Sequence, residues 1–193
     1  MKNLRMCDVN MKIIIINGSP RRKGDTVSLI NEAKKYLLGE IDEINTYFTD
    51  VTPCNDCRYC WEHPRCVIDD DMQTVYKQID EADIIIIASP LYFSELSGSL
   101  LQFASRLQYY YVSKYIRQES VLQKKKRQGI VLLTGGGDGS VEPALSTAKC
   151  LLKHMGAEFV DCVCSHNTNT VPASKDTVAL NKIGAIVSAI AKG

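Results

Sequence analysis

The chain has 193 residues, with 23 basic and 22 acidic side chains and a formal net charge of +1. That length is the size of one domain with a substantial core, and the even charge excludes a global field for nucleic acid or a membrane surface. No apolar run reaches spanning length and the first ten residues lack a signal-peptide core, so the expected location is cytoplasmic, with no membrane and no nucleic-acid partner.

Met1 to Asn10 reads as a short polar lead-in, followed by a strand over about Lys12 to Ile16. Four consecutive isoleucines, Ile13 to Ile16, are expected in a parallel strand buried on both faces. Asn17-Gly18-Ser19-Pro20-Arg21-Arg22-Lys23-Gly24-Asp25-Thr26 follows. Its glycines allow a tight turn, and Asp25 or Thr26 is placed to cap a helix running to about Leu38, which Gly39 ends. Strand, polar glycine loop and helix start form the geometry that holds an anion, with Ser19 and Thr26 hydroxyls and three cations at hand. It is no Walker A loop, since Lys23 precedes Gly24, and it lacks Gly-x-Gly-x-x-Gly. An ordinary βα turn with a basic rim is the plainer alternative.

A weaker strand is expected over Glu43 to Phe48, then a cysteine-rich stretch over about 52–68. Asp69-Asp70-Asp71 caps a helix with Met72, Val75, Tyr76 and Ile79 inward. Further strands are expected over Asp83 to Ala88, Ile130 to Thr134 and Glu158 to Cys164. Helices are expected over about Ser97 to Ile116, Val141 to Met155 and Ala173 to Ala191. Tyr109-Tyr110-Tyr111 cannot share one face, so at least one is exposed, and Lys124 to Arg127 reads as a solvated loop. Alternating strands and helices predict one domain over 1–193, a doubly wound five-stranded parallel sheet of order 2-1-3-4-5 in three αβα layers, with a cysteine-rich insertion after strand two.

The first loop resembles the phosphate loop of the flavodoxin-like NAD(P)H-dependent FMN reductases. Ser89-Pro90-Leu91-Tyr92-Phe93 and Thr134-Gly135-Gly136-Gly137 are similar to that family's second and third flavin loops. The resemblance implies non-covalent FMN held by Ser19, Arg21, Lys23, Asp25, Thr26, Val27, Pro90, Leu91, Tyr92, Phe93, Thr134, Gly135, Gly136 and Gly137. Asp25 stands where the family usually has Asn. A carboxylate beside a phosphate is unfavourable unless it serves the helix start, so its side chain is not counted as a ligand. The resemblance also implies a homodimer or homotetramer. No side chain is needed as catalytic acid or nucleophile, because the chemistry lies on the flavin.

Cys54-x2-Cys57-x2-Cys60-x5-Cys66 exceeds what burial explains, and thiolates suit soft or borderline metals. The spacing resembles the compact motif of the iron–sulfur flavoprotein branch, which implies a [4Fe-4S] cluster there. Zinc, with His63 as a further ligand, or no metal at all stay open. Cys162 and Cys164 share a strand face as structural thiols. The expected activity is electron transfer between a cluster, FMN and a small acceptor, with ferredoxin or NAD(P)H as donor. Alternatives are an NAD(P)H-dependent FMN or quinone reductase without a cluster, a flavodoxin-like electron carrier, and a zinc-stabilised nucleotide-binding module.

Overall fold

The computed structural model describes residues 11–190. The lead-in Met1 to Asn10, with Cys7, and the last residue expected in the final helix, Ala191, lie outside them. Strands β1 (Lys12–Asn17), β2 (Glu40–Asn45), β3 (Ile84–Pro90), β4 (Arg127–Thr134) and β5 (Ala157–Ser165) form one parallel sheet in the order β2-β1-β3-β4-β5. The helices are α1 (Asp25–Lys34), α2 (Tyr59–Glu62), α3 (Met72–Glu81), α4 (Gly98–Ser105), α5 (Gln108–Tyr115), α6 (Glu142–His154) and α7 (Thr177–Ile190). This is the flavodoxin-like architecture that the alternation of elements predicts.

The isoleucine runs divide with the two-residue strand period. Ile13, Ile15, Ile84 and Ile86 pack with Leu29, Ile30 and Ala33 of α1 and with Ile183 and Val187 of α7. Ile14, Ile16, Ile85 and Ile87 turn to the opposite layer, against Met72, Val75 and Ile79 of α3, Leu100 and Phe103 of α4, and Leu152 of α6. Burying each such side chain stabilises the fold by roughly 1.5–3 kcal/mol. Both layers therefore hold the central strands fixed beneath the loops at their carboxyl ends.

Four local differences from the sequence reading have physical causes. Helix α1 stops at Lys34, and β2 begins three residues early, at Glu40, because its pairing with β1 runs from Lys12↔Glu40 to Asn17↔Asn45. Gly39 (φ +140°) thus opens the edge strand instead of closing the helix. The helix expected over Ser97 to Ile116 is broken in two. The amides of Arg106 and Leu107 bond the carbonyls of Phe103 and Ala104, a tightened turn at which the Arg106 side chain is buried. Arg127 is buried, not solvated, and donates to the carbonyls of Ile79, Asp80 and Gln123. The final helix opens with a separate 3₁₀ turn, Ala173–Lys175. Of the three tyrosines, Tyr110 is buried and Tyr111 exposed.

The strand ladders continue into the loops. Gly18 N–H donates to the Ala88 carbonyl (2.7 Å), Leu91 N–H to Thr134 (2.8 Å) and Gly135 N–H to Ser165 (2.9 Å). Gly18 sits where β1 gives way to its loop, and a Cβ there would lie 2.7 Å from Ser97 Oγ and 2.9 Å from Leu100 Cδ1. Gly18→Ala should therefore cost about 1–3 kcal/mol in urea-monitored stability; an unchanged midpoint would contradict this packing.

Candidate functional site

At the carboxyl edge of the sheet a cavity of about 210 Å³ opens between the loops after β1, β3, β4 and β5. Ser19, Arg21, Asp25, Thr26, Pro90, Leu91, Tyr92, Thr134 and Gly136 line it. Of the other residues singled out from sequence, Lys23 and Val27 line an adjoining open groove. Gly135 and Gly137 accept from Thr168 and Asn167 through their carbonyls. Phe93 stands fully exposed on a left-handed backbone (φ 54°).

The β1 loop is held by its own side chains. Asn17 is buried; its Oδ1 accepts from Ser19 N–H (2.9 Å) and its Nδ2 donates to Glu43 Oε1 (2.8 Å). Ser19 Oγ accepts from Arg21 N–H (3.2 Å). Helix α1 has Gly24 at its N-cap with no side-chain cap, so neither Asp25 nor Thr26 caps it. The Asp25 carboxylate instead accepts from Ala173 N–H (3.0 Å), tying the segment before α7 to the helix start. Thr26 Oγ1 pairs with Thr134 Oγ1 at 2.8 Å across the cavity floor. Among the described residues, the N–H groups of Asp25, Thr26 and Val27 find no protein acceptor. Arg22 turns away onto the Phe48 ring (4.0 Å).

Thr168 and Asn169, from the loop after β5, also line the cavity and escape the sequence reading. A Cβ on Gly136 would meet Asn169 Nδ2 at 2.7 Å, so this loop closes directly over the glycine run. The only signal for it is topological: in a doubly wound sheet the loop after the fifth strand opens at the same edge.

A second cavity, of about 320 Å³, is lined by Cys54, Cys57, Cys60 and Cys66 together with Trp61, Arg106 and Tyr109. The loop around it is fastened through its backbone. Cys54 N–H donates to Ser105 Oγ (2.9 Å), while Arg117 Nη1 donates to the Cys60 and His63 carbonyls (2.6 and 2.7 Å). Gln73 Nε2 reaches the Cys66 and Ile68 carbonyls. The four thiols are free, and burial, then Cys66, pushes the Cys60 thiol above its ordinary pKa. Among the described residues, no three His, Cys, Asp or Glu side chains converge as ligands of one ion. His63 is outside the lining; it stacks on Tyr59 (4.0 Å) with Nδ1 at the Tyr59 carbonyl. Away from this loop, burial raises Cys162 to about 11 and Cys164 to about 12, as expected of structural thiols.

A family model described as NADPH-dependent FMN reductase matches residues 11–169. The chain belongs to that family, in its iron–sulfur flavoprotein branch. It is 38% identical over 99 residues to an iron-sulfur flavoprotein of Methanocaldococcus jannaschii, a match spanning 50% of this chain and 51% of that protein. To the iron-sulfur flavoprotein of Methanosarcina thermophila it is 29% identical over 178 residues, 90% of each. Its fold superposes on the NAD(P)H:quinone oxidoreductase from Methanothermobacter marburgensis with a TM-score of 0.72 at 15% identity, covering 93% of this chain and 96% of that one. No described helix is long and apolar enough to cross a membrane.

The cysteine loop of this family member is closed by a buried ion pair, Arg106 Nη1 to Asp70 Oδ2 at 2.6 Å. Burial alone would raise the Asp70 carboxyl, but Arg106 and the amides of Thr52 and Met72 outweigh it and hold the carboxyl below the ordinary Asp range. A carboxyl depressed in the folded chain adds stability above its unfolded pKa of about 3.9 and loses it as pH falls through the folded value. The stability difference between the parent and Asp70→Asn, measured by urea titration, should therefore shrink from about pH 5 downward. A difference that stays constant with pH would contradict the pairing.

Proposed function

We propose that the chain is an FMN-dependent oxidoreductase whose loop 52–68 holds a [4Fe-4S] cluster on Cys54, Cys57, Cys60 and Cys66. The observation that carries the reading is the pairing of a cavity at the uncapped start of α1 with four free thiols around one further cavity. The free N–H groups of Asp25, Thr26 and Val27 suit phosphate oxygens, and Arg21 at the cavity wall adds charge. Pro90, Leu91 and Tyr92 offer an apolar wall for the ring, and Gly135 to Gly137 let the backbone approach it. When bound, FMN supplies hydride and single-electron chemistry, and no side chain is required as general acid or nucleophile.

The enclosed volume of about 210 Å³ falls below the roughly 300–1,000 Å³ usual for ligand pockets. It suits the phosphate and ribityl end, leaving the ring against exposed Tyr92 and Phe93. A second copy of the chain covers that ring in a homodimer or homotetramer. Thiols spread around a cavity wall fit several irons better than one zinc ion, which draws its ligands to a point. Electrons enter from NAD(P)H or ferredoxin and leave to a small acceptor, in the cytoplasm. A second reading is an NAD(P)H-dependent FMN or quinone reductase without a cluster, supported by the family model over residues 11–169 and by the fold shared with the NAD(P)H:quinone oxidoreductase.

Purification without oxygen, with iron, sulfide, zinc and FMN analysis, tests the proposal. The expected result is about four iron and four sulfide and one FMN per chain, the iron lost on Cys-to-Ala substitution at each of the four positions. FMN without iron leaves the second reading. A colourless chain that takes up no added FMN contradicts both.

A further inference from the structure

Arg106 is a buried cation with an unfinished set of hydrogen bonds. Its side chain is 1% exposed, and its single carboxylate partner, Asp70, is 5% exposed. Nη1 donates to the Thr52 carbonyl (2.8 Å) and to Asp70 Oδ2 (2.6 Å), and Nη2 donates to the Ile68 carbonyl (3.3 Å). Thr52 and Ile68 are the two stems of the cysteine loop, each two residues outside its terminal cysteine. The guanidinium thus closes the loop at both ends. Its Nε–H, however, is buried with no partner among the described residues, and Arg106 lines the cavity that the four thiols share. A buried donor left unpaired costs about 1–3 kcal/mol, so such a group in a native chain calls for an acceptor.

We propose that Arg106 Nε–H donates to a sulfur of the iron–sulfur cluster at its Cys66 corner, positioning the loop and raising the cluster's reduction potential. The inference rests on the cluster assigned above to Cys54, Cys57, Cys60 and Cys66. A cluster held by four thiolates carries net negative charge, and hydrogen bonds to its sulfurs are among the protein's levers on its potential. Cys66 and Arg106 line the same cavity, and the Ile68 carbonyl that takes Arg106 Nη2 lies two residues beyond Cys66. The three other arginines of the region are engaged elsewhere. Arg117 binds the Cys60 and His63 carbonyls, and Arg58 lies over the Trp61 ring at 5.1 Å and beside Asp56. Arg65 donates from Nη2 to the Tyr59 hydroxyl (2.9 Å) and lies over the Tyr59 ring. Arg106 is accordingly a positioning residue whose effect reaches beyond loop closure.

The test uses the full chain, purified without oxygen after growth on ¹⁵N-arginine, with the reduced cluster examined by pulsed EPR. The expected result is a ¹⁵N coupling in the parent that survives Arg58→Lys, Arg65→Lys and Arg117→Lys and vanishes in Arg106→Lys. The cluster potential of Arg106→Lys should fall, while that of FMN stays at the parent value. A parent chain with a loaded cluster and no ¹⁵N coupling overturns this inference alone, as does a coupling that survives Arg106→Lys. A parent chain with FMN but no iron or sulfide overturns the cluster assignment and this inference with it. Because the coupling is read in the parent, a variant that fails to assemble leaves the test intact.

Discussion

The first turn of α1 leaves the N–H groups of Asp25, Thr26 and Val27 without a protein acceptor among the described residues, and the sheet beneath fixes where they point. Helix starts are normally closed by a side chain at the N-cap. Here that place is Gly24, and the neighbouring groups that could close the turn are committed elsewhere. Asp25 holds Ala173, Thr26 meets Thr134, and Ser19 is bound to Arg21. The Thr26–Thr134 pair joins the first flavin-type loop to the third at the floor of the cavity. Gly18 N–H, bonded to Ala88, joins the first to the second. Under the proposed function, the flavin phosphate would complete a set of bonds that the fold leaves open here.

The cysteine loop follows the opposite division of labour. Its backbone is satisfied from outside by Arg106, Arg117, Gln73 and Ser105, while its thiols stay free around one cavity. Arg106 lies at the junction of α4 and α5, buried on the same side as Phe103 and Tyr110, and lines the second cavity. Asp70 serves two elements at once, accepting from Met72 N–H (3.1 Å) at the start of α3 and anchoring the arginine.

What could be read from the sequence follows from the range of the interaction involved. The register of α3 was legible, since Met72, Val75, Tyr76 and Ile79 declare one face by local period and are all buried. The strand order was legible from the alternation of elements. The edges of β2 were not, because Glu40–Asn45 is an edge strand of mixed polarity whose register comes from β1, some thirty residues earlier. Arg106 and Arg127 could not be foreseen as buried. Besides the Asp70 carboxylate on Arg106, their partners include the carbonyls of Thr52, Ile68, Ile79 and Asp80, distant in sequence and invisible in residue type. Thr168 and Asn169 lie in a polar stretch with no motif, and only the closed fold brings them to the cavity.

The measurement closest to the central claim compares FMN with riboflavin, which lacks the phosphate, in fluorescence titrations of the flavin-free chain. Charge-assisted hydrogen bonds contribute about 1.5–3 kcal/mol each, so two or more amides on the phosphate should make FMN bind at least about 100-fold more tightly. Equal affinity for the two flavins would mean that the start of α1 does not hold the phosphate, and would contradict the account at its base.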